Sequence, residues 1–535
     1  MSRLLGYSLI SGILLAGSWP VNGITPLIFI SLIPILFVED IISGDNLAKK
    51  NIRLFFYSYI AFLTWNIATT WWIVYSTIPG AIFANVVNSS FYSIIFLLYS
   101  RVKRKIDFKA ATLFLITFWI TFEKFHLNWE FSWPWLNLGN VFSERINWIQ
   151  WYEYTGVFGG SLWVLCANFL LFTILRKYSS FKDKRRFYIR IIPRFLLISF
   201  PIIISLLVKP KINQGEEFRI LITQPKIDPW GAKYGNSKSN LDYFKIFKDL
   251  TNEELSANEY DFVFTSETYF SEGYGENVDY FRFTKLYDSL NNYLSQFNNT
   301  NLISGIQFYK LYQNQKEKPT KSANPVRDNI WVDYFNSSIN MSANKGFEYN
   351  HKSKLVVGSE YMPFKSFLQP IIGTVMIDLG GTIRSMGTQH ESERKVFKHS
   401  LKELKTIPIV CYETIYGEYV ANYVELGANF ISIITNDSWW GDTPGHRHLL
   451  SYARLRAIEN RRYIIRSANS GISAIINEVG EYQAILPFDE KGVISGSGYS
   501  ISERTFYSKN GDYIARLSML VSILLLLLSF SKVKE

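Results

Sequence analysis

The chain reads as a composite: a polytopic α-helical membrane part of about eight spans joined to an α/β layered domain. Three observations predict it. Apolar runs long enough to cross a bilayer crowd the first two hundred residues, another closes the chain, and between them short β-rich runs alternate with helical patterns. With 535 residues, 48% of them hydrophobic and 17% aromatic, the chain is neither disordered nor a single small domain.

A span needs about 20 mainly apolar residues. Candidates are Arg3–Trp19, Ile24–Val38, Leu54–Ile73, Ala81–Tyr99, Ala110–Phe125, Gly156–Leu175, Ile191–Val208 and Tyr513–Phe530. The first two are short and read as tilted, kinked or partly interfacial. Arg3 before an apolar stretch ending Leu15-Ala16-Gly17-Ser18 imitates a signal peptide, but a second apolar run starts at Ile24, which favours an uncleaved anchor. The stretch also lacks the cysteine of a lipidation box.

The net charge of +11 could suggest a nucleic-acid partner. Its location argues against one. Lys49, Lys50 and Arg53 follow the second run, Arg101, Lys103, Arg104, Lys105 and Lys109 the fourth, and Arg176, Lys177, Lys182, Lys184, Arg185, Arg186 and Arg190 the sixth. Each cluster follows an even-numbered span, so all three can be cytoplasmic, as the positive-inside rule requires. Lys532 and Lys534 agree. The plan is then 1–208 as N-terminal transmembrane helices, 209–512 as an extracytoplasmic domain, and 513–535 as a last helix and short tail. Trp129–Gly139, on the outer side, mixes bulky apolar residues with Pro134 and Gly139 and should be irregular or re-entrant. It reads either as an aromatic belt or as a lipid-contacting wall.

In the large domain, strands are expected at Phe218–Ile222, Phe262–Thr265, Leu302–Phe308, Ile330–Phe335, Ile407–Val410, Asn429–Thr435, Arg462–Ser467 and Ile472–Asn477. Helices are expected at Leu241–Leu255, Tyr280–Phe297, Tyr416–Leu426 and Arg447–Asn460. The alternation predicts an α/β layered fold.

Cys411 stands directly after the apolar run Ile407–Val410, and side chains at strand C-termini face the crevice where such sheets bind ligands. A lone cysteine is commonly a small core residue. Here the other cysteine, Cys166, lies inside a span, so Cys411 has no disulfide partner in its domain, and a lone thiol in an oxidising compartment invites a chemical role. A thiol attacks as thiolate, so it needs a base or a positive neighbour. Glu267 ends the run Asp261–Ser266 in the same strand-end context, although a solvated turn carboxylate would look alike. Lys352 lies in a loop with His351 and Lys354 as alternatives.

Strand-end Glu, loop Lys, then Cys411-Tyr412-Glu413 resembles the Glu-Lys-Cys arrangement of the carbon-nitrogen hydrolase (nitrilase) superfamily. With spans before the domain and one after it, nearly the whole chain resembles the apolipoprotein N-acyltransferase family. Tyr334–Ser337, Lys352 eight residues before Glu360, Thr435-Asn436-Asp437-Ser438-Trp439-Trp440-Gly441-Asp442 leading into Ala453–Glu459, and Trp133–Gly139 carry the same likeness. Two places depart from the pattern: Val357-Gly358-Ser359 stands where the family has a Pro and a Phe-Gly, and Ser266 stands where a Pro usually precedes the first Glu.

The resemblance implies a nitrilase-like αββα sandwich and a ping-pong acyltransferase. Glu267 would be the base, Cys411 the nucleophile, and Lys352, with the backbone N–H after Cys411, the stabiliser of the oxyanion. The acyl donor would be a membrane phospholipid, with phosphatidylethanolamine the implied species. The acceptor would be the α-amino group of a diacylglyceryl-cysteine apolipoprotein. Neither metal nor nucleotide is implied, so no cofactor is expected. Tyr412, Glu413 and Glu360 would shape the pocket, Asn336 and Trp230 would position loops or touch acyl chains, and apolar arms around Trp439-Trp440 and Tyr361–Phe364 would close over a laterally opened cleft. The implied location is the bacterial inner membrane. Competing readings are a membrane-tethered amidase acting on a small soluble amide, and a non-enzymatic receptor carrying an inactive nitrilase-like domain.

Overall fold

The computed structural model describes residues 2–44, 49–178, 184–208, 215–228, 238–297, 299–372 and 385–531. Trp230, Lys182, Lys532 and Lys534 lie outside the described residues. The chain divides into two compact units, Met1–Lys209 with Asn510–Glu535, and Pro210–Lys509.

In the first unit every expected span position carries helix. Thr25–Gly44, Ile78–Lys103, Val157–Leu175, Phe187–Leu207 and Tyr513–Ser531 are long and apolar enough to cross a membrane, and Ser2–Gly17 is a shorter apolar helix. Lys50–Thr70 and Phe108–His126 are helices of 21 and 19 residues. The second position is interrupted as its shortness suggested: a 3-10 turn, Thr25–Phe29, precedes the helix Ile33–Gly44. Some loop charges also do more than meet solvent. Lys103 Nζ lies 2.6 Å from Glu39 Oε2 and 3.0 Å from Asp40 Oδ1, and Arg176 Nε lies 2.7 Å from Asp40 Oδ2. The ends of the second, fourth and sixth expected spans therefore meet in one ionic cluster.

Trp133–Gly139 is irregular, built from the 3-10 turns Pro134–Leu136 and Leu138–Phe142. Trp135, Leu136 and Leu138 are buried inside the helical unit, with Trp135 edge-on to Trp72 at 4.9 Å, so these side chains pack against protein. Glu123 pins the segment, accepting from the Leu138 N–H at 2.8 Å and from Ser161 Oγ at 2.6 Å. Gly160 lets it approach, because a Cβ there would stand 1.8 Å from Tyr152 Oη and 2.9 Å from Gly139 Cα.

The second unit is a helix–sheet–sheet–helix sandwich. Its strands are β1 (Glu217–Gln224), β2 (Phe262–Phe264), β3 (Glu276–Asn277), β4 (Asn301–Gln313), β5 (Asn324–Arg327), β6 (Ile330–Ser342), β7 (Gly346–His351), β8 (Phe397–Lys398), β9 (Lys405–Val410), β10 (Phe430–Thr435), β11 (Ile464–Ala468), β12 (Ser473–Ile476), β13 (Tyr482–Leu486) and β14 (Gly492–Tyr499). One sheet runs β14-β1-β2-β4-β6-β5, with β3 on β4 and β7 on β6; the other runs β13-β12-β11-β10-β9-β8. In each, the central strands are parallel: β1, β2 and β4 in the first, and β9, β10 and β11 in the second. Parallel strands need crossovers. Helices Asn240–Ala257 and Lys285–Leu294 supply them for the first sheet, and Gly417–Glu425 and Pro444–Asn460 for the second.

Sheets covered on both faces read as continuous apolar runs rather than alternating ones. The six residues of β10, Phe-Ile-Ser-Ile-Ile-Thr, are all buried. The sheets meet through Phe430, whose ring lies 4.4 Å from Phe218 and 5.2 Å from Phe262. Tyr243, Phe247, Leu286 and Leu290 press the outer helices onto Val263, Leu302 and Ile306 of the first sheet. The single helix expected over Tyr280–Phe297 is instead a 3-10 turn, Phe281–Phe283, followed by Lys285–Leu294. Thr284 divides them because its side chain caps the second piece, accepting from the Tyr287 N–H at 3.2 Å.

Candidate active site

The site gathers at the C-terminal ends of parallel strands in both sheets. β9 ends at Val410, and Cys411 follows with φ +51°. A side chain other than glycine in the left-handed region costs of order 1–3 kcal/mol, so the surroundings must impose it. Here the imposing group is Glu413. Its Oε2 accepts from the Val410 N–H at 2.9 Å, closing a tight turn around Cys411. Its Oε1 accepts from the N–H groups of Ser353 at 2.6 Å and Lys354 at 3.1 Å, and from Tyr419 Oη at 2.7 Å. One buried carboxylate thus ties the loop after Lys352 to the strand end before Cys411. Burial raises its pKa, and these donors oppose the rise.

Glu267 follows β2 after Thr265 and Ser266. β4 passes directly behind it at Gly305, where a Cβ would stand 2.4 Å from Ser266 O and 2.7 Å from Glu267 C; any side chain there would displace the carboxylate. Glu267 is 5% exposed. Its Oε1 accepts from Asn336 Nδ2 at 2.7 Å and Lys352 Nζ at 3.2 Å, and its Oε2 from the Asn436 N–H at 2.9 Å.

Lys352 comes immediately after β7, with its N–H donating to Asn336 O at 2.8 Å. It is 1% exposed and stands between two carboxylates, Glu267 and, at 2.9 Å, Glu360 Oε1. Burial alone would lower its pKa, but the charges of Glu267 and Glu360, then of Cys411, overturn that and hold the ammonium well above its usual range. The two alternative cations lie elsewhere. His351 stacks on Phe335 at 3.9 Å and pairs with Ser337 Oγ at 2.7 Å, while Lys354 Nζ sits 5.2 Å from the centre of the Tyr416 ring.

Cys411 is 7% exposed. Burial, then the charge of Glu267, push its thiol well above the usual range, against the opposing pull of Lys352. The resting sulfur therefore carries its proton, and attack requires a base at that moment rather than a standing thiolate.

Glu360 Oε1 also accepts from Asn336 Nδ2 at 3.1 Å, and its Oε2 accepts from the Val356 N–H at 2.7 Å. That bond folds Val356–Glu360 into a turn around the lysine even though Val357-Gly358-Ser359 replaces the usual residues. Tyr412 is buried with its ring 5.4 Å from Tyr416. Trp439 and Trp440 sit in the 3-10 turn Asp437–Trp440 directly after β10; Trp440 is buried and Trp439 half-buried. In the other aromatic segment Met362 is buried and Phe364, with φ +45°, is 39% exposed.

Asn436 and Asp437, to which the sequence pattern assigns no role, also take part in the site. The Asn436 N–H holds Glu267, and Asp437 pairs with Arg466 at 2.5 Å in full burial while Thr435 Oγ1 donates to it at 2.6 Å. The available signal was position, since both follow the buried run of β10 just as Cys411 follows β9.

Comparison with known families places the match in two blocks. Residues 11–170 match the apolipoprotein N-acyltransferase N-terminal domain, and residues 325–497 match carbon-nitrogen hydrolase. The second block contains Lys352, Glu360 and Cys411. The apolipoprotein N-acyltransferase of Chlorobaculum tepidum is 25% identical over 97% of this chain and 96% of its own length. That of Geobacter metallireducens is 24% identical over 95% and 92%. The crystal structure of Saccharomyces cerevisiae Nit3, a member of branch 10 of the nitrilase superfamily, superposes on 57% of this chain and 96% of its own with a TM-score of 0.37 and 15% identity.

Proposed function

The chain belongs to the apolipoprotein N-acyltransferase family, within the carbon-nitrogen hydrolase superfamily, and from that premise we propose that it N-acylates lipoproteins by two displacements at Cys411. In the first, Glu267 takes the thiol proton as sulfur attacks an acyl ester of a membrane phospholipid, phosphatidylethanolamine being the proposed donor. The ester carbonyl becomes an oxyanion facing the Lys352 ammonium. The C–O bond to glycerol then breaks, Glu267 returns the proton to the leaving oxygen, and a thioester remains. In the second, the free α-amine of a diacylglyceryl-cysteine lipoprotein attacks that thioester. A C–N bond forms, the C–S bond breaks, and Glu267 passes the amine's proton to the departing sulfur.

The observation that carries this reading is the buried ammonium of Lys352 held between Glu267 and Glu360, with Cys411 in the left-handed region at the end of β9. Such a cation needs no reorganisation when charge develops, and a preorganised donor of that kind contributes roughly 10²–10³ in rate. Both substrates carry chains that would cost about 0.8 kcal/mol per CH₂ to draw into water, which favours chemistry at the membrane over release of a soluble acyl group. We place the large domain on the periplasmic side of the bacterial inner membrane. The shared ionic cluster of Glu39, Asp40, Lys103 and Arg176 supports putting the ends of the second, fourth and sixth spans on one side, and the basic residues after those spans favour that side being cytoplasmic.

The test is incubation of the purified protein with a phospholipid bearing a tagged acyl chain, followed by mass spectrometry of the Cys411 peptide. A thioester should form and be discharged by a diacylated lipopeptide amine. Cys411→Ser should carry no label, and label surviving in that variant would refute the nucleophile assignment.

A further inference from the structure

Two asparagines grip Glu267 from its opposite oxygens, Asn336 through Nδ2 at Oε1 and Asn436 through its backbone N–H at Oε2. Both are buried, and among the described residues each keeps one polar atom without a partner: Oδ1 of Asn336 and Nδ2 of Asn436. The orientation of the Asn436 amide follows from its neighbours. Asn469 is locked by a two-way pairing with Ile227, its Nδ2 donating to the carbonyl at 2.7 Å and its Oδ1 accepting from the N–H at 3.0 Å. The same Nδ2 donates to Asn436 Oδ1 at 3.2 Å, and Ser438 Oγ donates to that oxygen at 2.8 Å. The oxygen of Asn436 must face these donors, which turns its NH₂ the other way.

A buried amide donor left unsatisfied costs about 1–3 kcal/mol, and natural structures keep few of them. This one belongs to the residue after Thr435, which bonds the Cys411 thiol, and its own backbone holds the carboxylate beside that thiol. A donor so placed complements an oxygen that arrives with the substrate.

We infer that Asn436 is a further catalytic residue, its Nδ2 donating to the acyl carbonyl oxygen as that oxygen becomes an oxyanion in each displacement. When sulfur or amine bonds to the carbonyl carbon, the π pair moves onto oxygen and the Asn436 hydrogen bond shortens. When the leaving group departs, the pair returns. Asn436 supplies no proton, and its role adds to that of Lys352. The inference rests on the acyl-transfer reading above.

Asn436→Ala removes Nδ2 but keeps the backbone N–H that holds Glu267. Two rates at Cys411 decide the matter, both read on the Cys411 peptide of the full-length protein. Thioester formation from tagged phospholipid should slow by about 10²–10³-fold, whereas alkylation by iodoacetamide, which builds no oxyanion, should stay within about twofold of wild type. Asn436→Ser, a smaller change in bulk and polarity, should show the same split. If both rates fall together, Asn436 acts by positioning Glu267 or Cys411 and the inference is overturned. If neither falls, it is overturned as well. A wild-type chain that alkylates at Cys411 yet forms no thioester would instead sink the acyl-transfer reading.

Discussion

At the scale of single residues, the site separates two properties that are often joined, acidity and reactivity. Burial and the neighbouring charge of Glu267 keep the Cys411 proton in place. Glu267 thus adds to burial in keeping the resting thiol neutral, and it is also the group proposed to remove that proton. Glu267→Gln should make the two effects diverge. With the like charge gone, the pH profile of iodoacetamide alkylation should shift to lower pH, while acyl transfer falls by roughly 10²–10⁴-fold for want of a base. Parallel loss of both would disprove the dual role. Lys352→Met should also lose acyl transfer, and it should destabilise the fold by about 3–5 kcal/mol, because the buried Glu267 and the part-buried Glu360 would be left without their cation. The sign of its pH dependence follows from a folded pKa above the ordinary 10.5. The stabilisation is complete below pH 10.5 and disappears as pH climbs through the folded value. Wild type and variant should therefore converge in thermal stability only at strongly alkaline pH.

At the scale of elements, β7 and the turn after β9 carry the geometry. Glu413 is the clasp between them. Glu413→Ala would strand the Val410, Ser353 and Lys354 N–H groups, at about 1–3 kcal/mol for each that stays buried. The expected result is a marked fall in melting temperature together with lost acyl transfer. Within β7, the stacked His351 is held neutral, its pKa pushed down to about 3 by burial, with the charges of Lys310 and Lys395 adding to the effect. Below pH 6.5 the unfolded chain gains a proton there that the folded one refuses, so stability present above 6.5 drains away toward pH 3. His351→Gln should flatten the acid limb of a melting-temperature profile measured in detergent; an unchanged slope would show that His351 is not the group responsible. β7 itself was legible in principle, because Phe347, Tyr349 and His351 alternate with Glu348 and Asn350. β14 was not, since its three glycines leave no such alternation and its order comes from pairing along the whole of β1. Cys411 and Glu267 could be singled out by strand-end position, and Lys352 was separated from His351 and Lys354 only through the family resemblance, whereas the part proposed for Asn436 depends on the rotation of an amide that only the packed neighbours determine.

At the scale of the whole molecule, the division into helical and α/β parts was legible because length and hydropathy belong to uninterrupted segments. How many helices cross was less so. Lys50–Thr70 and Phe108–His126 occupy span positions while carrying polar groups such as Asn66 and Glu123, which are buried against other helices of their unit. The burial of Trp135 and Leu138 was equally out of reach, because an apolar residue destined for lipid and one destined for protein look alike in sequence. The proposed sidedness has its own check. A membrane-impermeant maleimide should label Lys491→Cys on the outer face, and Lys105→Cys only after permeabilisation; the opposite pattern would overturn the orientation.

The two margins of the sandwich lie side by side. β1 and β14 are antiparallel neighbours from Glu217↔Tyr499 onward, and beyond them the Gly215 N–H donates to Ser500 O at 2.8 Å while the Ser500 N–H donates to Glu216 O at 2.9 Å. Residues 215–500 thus form a loop-out closed at its neck, a cassette that opens and shuts at one point of the backbone. Splicing a short linker across that neck and cutting a distant surface turn should yield a permuted cassette with its pairing intact. Such closure is the arrangement that lets one length of chain be set inside another without either losing its thread.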